Sequence, residues 1–198
     1  MNFLFHMFLS FDDPEILVGN FLGDFIKGRP GDRYPPRIRT GILLHRKIDS
    51  FAQKEPFFSR SRRRLDPRYG LYRGVLVDLF YDHFLAGGWG DFSDVPLGEF
   101  LDRSRGMVER HLGGLPESPR LTPLIPVIFD DLIPSYGAVD GIGAALRRMS
   151  RRIKRANPLA GAEDELLSHY DGLEEDFRGF VPKALAFSRD ALSTLEKV

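Results

Sequence analysis

Histidine is scarce in this chain, five among 198 residues, and its placement carries chemical information. Four segments each set an ionisable group inside an otherwise apolar helical run. They are Asn2-Phe-Leu-Phe-His6, Gly19-Asn-Phe-Leu-Gly-Asp24, Leu44-His45-Arg-Lys-Ile-Asp49 and Asp78-Leu-Phe-Tyr-Asp82-His83. A polar group on an apolar face is costly unless it is paired or bound to a metal. His45 and Asp49 are spaced i,i+4 and share one helix face, as do Asp78 and Asp82. His83 is turned about 100° from Asp82 and reaches a common site only at an angle.

Imidazole nitrogens and carboxylate oxygens are ligands for borderline and hard divalent ions. A mixed set with open positions suits Mn²⁺, Fe²⁺ or Mg²⁺, and Zn²⁺ is also compatible. Such an ion lowers the pKa of water and polarises a phosphate oxygen, while spare carboxylates act as bases or orient the histidines. The structural alternative is plain. A single core histidine is ordinarily a hydrogen-bonded structural residue, Asp24 can serve a helix end, and Asp49 can pair with Arg46 or Lys47. Only their co-occurrence argues for one shared site.

The rest of the chain must position these groups. Its length suits one domain, and 42% hydrophobic with 28% charged residues is the balance of a globular protein. There is no cysteine, so disulfides and thiolate metal sites are excluded. The apolar stretch Phe3–Leu9 has neither a basic leader nor a small-residue cleavage site, and His6 interrupts it, so it does not read as a signal peptide. No apolar run has the length of a membrane span. A cytoplasmic location is the expectation, without a membrane role.

Helical punctuation predicts an all-α, single-domain multi-helix bundle over 1–198. A short helix spans 2–10 with Asn2 as its cap. Asp13-Pro14 opens a second that Gly28 closes. Further helices are expected over 36–53, 56–65, 71–86, 97–112 and 139–155, and from about 162 to the end with a kink at Pro182. In the third, Ile38, Ile42, His45, Ile48, Asp49 and Ala52 fall on one side. Residues 122–133 are apolar but broken by prolines. No strand alternation is evident, although a small sheet hidden in an apolar segment stays open.

Lys+Arg and Asp+Glu are equal at 28, yet the charges are unevenly spread. Arg60, Arg62, Arg63 and Arg64, with Arg68 and Arg73, form one basic segment. Arg147, Arg148, Arg151 and Arg152, with Lys154 and Arg155, form another. They read as a docking surface for an anionic partner, or as solvated faces balanced by nearby acids. Aromatics do not interleave with the second cluster, so nucleic acid is the weaker partner. P-loop, nucleophile-elbow and dinucleotide motifs are absent.

At these same residues the chain resembles the acyl carrier protein phosphodiesterases. The likeness lies in Met1-Asn-Phe-Leu with His6 and Leu9-Ser10, Gly19-Asn-Phe-Leu-Gly-Asp24-Phe, Gly41-Ile with His45-Arg and Ile48-Asp49, and Asp78 with Tyr81-Asp82-His83-Phe84-Leu85. It is specific as an ordered set over about the first 90 residues and weaker beyond. The resemblance implies an HD-domain-like helical fold and a divalent cofactor, Mn²⁺ first. It implies hydrolysis of the phosphodiester joining 4′-phosphopantetheine to serine in holo acyl carrier protein. The small, acidic carrier would account for the arginines.

Carried over by position, Asp24 matches the acidic residue expected to be essential. His6, Asp24, His45, Asp82 and His83 become the expected ligands, and Asp24, Asp49 and Asp78 the groups that orient ligands or move protons. Two positions depart from the family pattern. Gln53 stands where a carboxylate is common, and Gly88 where histidine often precedes Trp89. A small-phosphoester hydrolase on the same fold, and a non-catalytic helical module binding an acidic partner, are the alternatives.

Overall fold

Two glycines set how closely the second and third helices approach. Helix α2 runs Pro14–Leu22 and α3 runs Pro36–Ala52. A Cβ on Gly19 would lie 2.1 Å from the Ile38 carbonyl oxygen, and one on Gly41 would lie 2.4 Å from that of Ile16. The backbones therefore touch at a crossing that no side chain would permit. Around it packs a bundle in which a computed structural model describes residues 1–11 and 13–197.

Helix α1 (Phe3–Phe8) precedes this pair and lies against α2. Helix α4 (Pro56–Arg64) is capped by Glu55, whose carboxylate accepts from the Phe57 and Phe58 amides. Helix α5 (Tyr72–Gly87) is apolar nearly all round and passes through the centre. After α6 (Leu97–Leu112) the proline-rich stretch becomes the single turn α7 (Ser118–Leu121), a π-helical segment Val127–Leu132 and the turn α8 (Ile133–Ser135). Helices α9 (Val139–Arg152), α10 (Glu163–Ser168) and α11 (Tyr170–Leu195) complete the fold.

The all-α expectation holds, and the described residues contain no strand. The face of α3 foreseen from spacing is the buried one: Ile38, Ile42, His45, Ile48 and Ala52 are each almost wholly enclosed. Aromatic rings join α11 to the centre. Phe177 and Phe180 stack edge-on to Phe5 at 6.1 and 5.7 Å, and Tyr81 lies 5.5 and 5.3 Å from the same two rings.

Some boundaries differ from the sequence reading. Helix α2 ends at Leu22, and a 3₁₀ turn Gly23–Phe25 takes over before Gly28 adopts φ 73°. The carboxy-terminal run is two helices, because His169 is not helical. Pro182 lies inside α11. Asn2 precedes α1, but its side chain makes no cap. It donates instead to the Tyr136 hydroxyl at 3.1 Å. No helix of the described residues is long and apolar enough to cross a membrane.

Candidate metal centre

Asn20, in α2, decides which nitrogens of two histidines face the site. Its amide NH₂ donates to the His6 carbonyl at 2.7 Å and to Ser10 Oγ at 3.1 Å. Its side-chain oxygen is therefore the acceptor for His6 Nδ1–H at 2.9 Å. Its backbone carbonyl accepts from His45 Nδ1–H at 2.8 Å. Each imidazole, when neutral, is thus in the tautomer that leaves a lone pair on Nε2.

Those lone pairs converge on one carboxylate. His6 Nε2 is 3.2 Å from Asp49 Oδ1, and His45 Nε2 is 3.3 Å from Asp49 Oδ2. The rings stack with centroids 3.7 Å apart and planes 17° from parallel. One ligand atom from each of the three residues lies within 4.8 Å of the others. Burial, and next the neighbouring His45, push the His6 imidazole down to about 3, so it is neutral at ordinary pH. A neutral imidazole lone pair opposed to a carboxylate lone pair is repulsive unless a cation lies between them. The donor set thus fits a divalent ion, with each histidine anchored through its other nitrogen.

More charge surrounds the trio. The Met1 ammonium is 2.8 Å from Asp49 Oδ1 and 3.0 Å from Asp78 Oδ1. Burial opposes its charge, but Asp78 and Asp49 outweigh that and raise it to about 11. Desolvation likewise opposes the charge on Asp49. The Met1 ammonium opposes that burial and favours the charged carboxylate. Burial pushes Asp78 above the ordinary carboxylate range. Its Oδ1 lacks an aligned hydrogen bond, so its link to the ammonium is Coulombic.

Asp24, in the turn after α2, sits at the edge, with Oδ1 3.7 Å from His45 Nε2 and 37% of its side chain exposed. Desolvation raises its carboxyl above the ordinary value. The preceding Gly23 makes room for the ligand ring: a Cβ there would fall 2.2 Å from His45 Cγ. The Gly19–Asp24 block therefore supplies a helix crossing, an orienting amide, a cradle and an edge carboxylate within six residues.

Two expected ligands are engaged elsewhere. The Asp82 oxygens accept the Leu4 and Phe5 amides at 3.0 Å each, so α5 caps α1 where Asn2 was expected to do so. Burial pushes the Asp82 carboxyl up to about 8 against those two bonds. His83 donates from Nδ1 to the Tyr136 carbonyl at 2.8 Å, and its Nε2 meets the Tyr170 hydroxyl at 3.1 Å. With both nitrogens occupied it serves as a core link, and burial lowers its pKa. Asp49, expected to orient ligands or move protons, instead stands between the two histidines. Asn20 was not singled out beforehand; its signal was a primary amide on an apolar helix, where a partner is obligatory.

The arginines also separate. Arg60 and Arg64 are turned inward onto buried Asp176, and Arg60 also reaches Glu175 at 3.1 Å. Arg62 and Arg63 remain outside that cluster. On α9, Arg147 pairs with Glu163 at 2.9 Å, Arg148 encloses a guanidinium nitrogen without a partner among the described residues, and Arg151 and Arg152 are exposed. Gln53 follows α3 and accepts from Arg62, while Gly88 ends α5 by donating to the Phe84 carbonyl at 2.9 Å.

A profile of the family described as acyl carrier protein phosphodiesterase matches residues 1–184. The chain belongs to the acyl carrier protein phosphodiesterase family. The family member of Salmonella paratyphi A is 33% identical over 195 residues, covering 94% of this chain and 96% of that protein. That of Salmonella agona is 32% identical over 188 residues, with coverages of 94% and 96%. That of Yersinia enterocolitica is 28% identical over 200 residues, with coverages of 96% and 98%. No solved structure matches the chain. Membership in the acyl carrier protein phosphodiesterase family and the His6–His45–Asp49 trio together support a metal-dependent hydrolase.

Proposed function

We propose that this protein hydrolyses the phosphodiester between 4′-phosphopantetheine and the carrier serine of holo acyl carrier protein, giving apo carrier. The observation that carries the reading is the convergence of two Nε2 lone pairs on Asp49, in a chain whose relatives are named for this reaction. In this reading His6, His45 and Asp49 hold a divalent ion, Mn²⁺ first, with Mg²⁺, Fe²⁺ or Zn²⁺ as alternatives. When bound, the ion supplies Lewis acidity toward a phosphate oxygen and lowers the pKa of water.

The chain's own groups do the rest. Water adds to phosphorus, the bond from phosphorus to the serine oxygen breaks, and that oxygen leaves with a proton. Asp24 is the group that moves protons. It is a partly exposed carboxylate at the edge of the trio, and desolvation keeps its proton affinity above that of a free aspartate. Asp78 shares the Met1 ammonium with Asp49 and so helps position that charge beside the trio. Asn20 fixes the histidine tautomers. Asp82 and His83 act through α1 and α11 without touching substrate.

The test is direct. Purified protein incubated with holo acyl carrier protein and Mn²⁺ should release phosphopantetheine, read as the carrier's conversion to its apo mass. No release with Mn²⁺, Mg²⁺, Fe²⁺ or Zn²⁺ would overturn the reading.

A further inference from the structure

The arginines of α4 and α5 fall into two groups by what they touch. Arg60 and Arg64 are neutralised by Asp176, and Arg68 by Asp66 and Glu165 at 3.9 and 4.0 Å. Arg62, Arg63 and Arg73 have only neutral partners. Arg62 Nη1 donates to the Gln53 amide oxygen at 2.7 Å, Arg63 Nη1 to Ser59 Oγ at 2.9 Å, and Arg73 Nε to the Gly70 carbonyl at 3.2 Å. Among the described residues none of these three has a carboxylate within ion-pair distance.

All three line one cavity of about 420 Å³, together with Gln53, Leu71 and Asp78. Three guanidiniums face a single carboxylate there. That carboxylate, Asp78, is the one that shares the Met1 ammonium with Asp49, so the cavity opens beside the metal centre. Its rim is apolar as well as cationic. Leu71 is 98% exposed and Val75 36%, and these are two of the three large apolar side chains left exposed among the described residues. Unspent positive charge beside a bare leucine is the complement of an acidic protein surface with an apolar contact. No aromatic side chain lines the cavity, which argues against stacked bases as the occupant.

We propose that this cavity and its rim are where the acidic carrier protein docks, with Arg62, Arg63 and Arg73 meeting carboxylates flanking the modified serine and Leu71 covered by an apolar side chain. The proposal rests on the carrier reading above. It moves docking away from the inward-turned Arg60 and Arg64 and from the α9 arginines. Gln53 contributes by leaving Arg62 uncancelled, since a carboxylate there would neutralise it.

The experiment measures the Kd of holo acyl carrier protein for the metal-loaded protein at low salt, beside phosphopantetheine release. The variants are Arg62→Glu with Arg73→Glu, Leu71→Ser alone, and Arg151→Glu with Arg152→Glu as a matched charge change on α9. The α4–α5 pair should weaken Kd by roughly 30-fold and flatten its salt dependence, and Leu71→Ser should weaken it by about 5-fold. Thermal melting checks that each variant is folded. An unchanged Kd in the first two variants, or an equal loss in the α9 pair, overturns the docking site even if wild-type protein releases phosphopantetheine. Tight binding lost in those variants without any release by wild type supports the docking site and overturns the proposed activity.

Discussion

His6 and His45 present the same nitrogen to the same carboxylate because one residue, Asn20, occupies the other nitrogen of each. That arrangement explains why a buried amide stands on α2, and why Gly23 follows three residues later. The glycine is the floor on which the His45 ring rests. Gly23→Ala should drive the ring from its position and weaken Mn²⁺ affinity by about 10-fold or more, with the helical circular dichroism retained. Titration calorimetry of the metal-free protein checks this, and wild-type affinity in the variant would show that His45 is not a ligand. The histidines and Asp24 were legible as candidates because ionisable groups on apolar faces stand out. Asn20 was less so, because a primary amide raises no charge anomaly and its two partners lie fourteen and twenty-five positions away.

Elements are tied together by buried carboxylates. Asp82 holds the start of α1 from α5, which aims His6 at the site. Asp176 does the same for α4 and α11: it is wholly buried and receives Arg60, Arg64 and the Ser61 hydroxyl. Removing it strands two guanidiniums that are only partly exposed. Asp176→Ala should therefore lower unfolding stability by about 3 kcal/mol, measured by urea denaturation, while Glu175→Ala should cost less than about 1 kcal/mol. From sequence, Asp82 reads as a ligand because it matches a recurring polar position of the family and carries a carboxylate on the face it shares with Asp78. Helical spacing reports a shared face, but it does not report which backbone amides that face will meet.

His6 adds its own pH dependence to stability, and Asp82, whose carboxyl burial pushes up to about 8, opposes it in the same window. The folded pKa of His6, about 3, lies below the ordinary 6.5. Between those values the unfolded chain binds a proton at His6 that the folded chain refuses, so the His6 contribution to stability falls as pH drops through that window. As pH drops from 6.5 toward 4, the urea midpoint of the metal-free protein should fall relative to that of His6→Gln, because only wild type carries the His6 contribution. Equal slopes in the two proteins would mean that His6 is not buried in its neutral form. Equal totals of acidic and basic residues conceal the molecule's other global property. Ion pairing consumes some arginines and spares others, and three of those spared, Arg62, Arg63 and Arg73, line one cavity with Asp78.

Sequence alone determined the helical class, most helix spans, the buried face of α3 and the short set of residues from which a metal site can be made. These follow from local rules: side-chain period, caps, prolines and the cost of burying charge. Tertiary structure decided which members of that set meet. It placed Asp49 between His6 and His45, sent Asp82 to cap α1, locked His83 between Tyr136 and Tyr170, and turned Arg60 and Arg64 inward. The physical reason is that a ligand set depends on distances of a few ångströms between groups far apart in the chain. Those distances are set by how helices cross, here at Gly19 and Gly41, and periodicity along one helix carries no record of them.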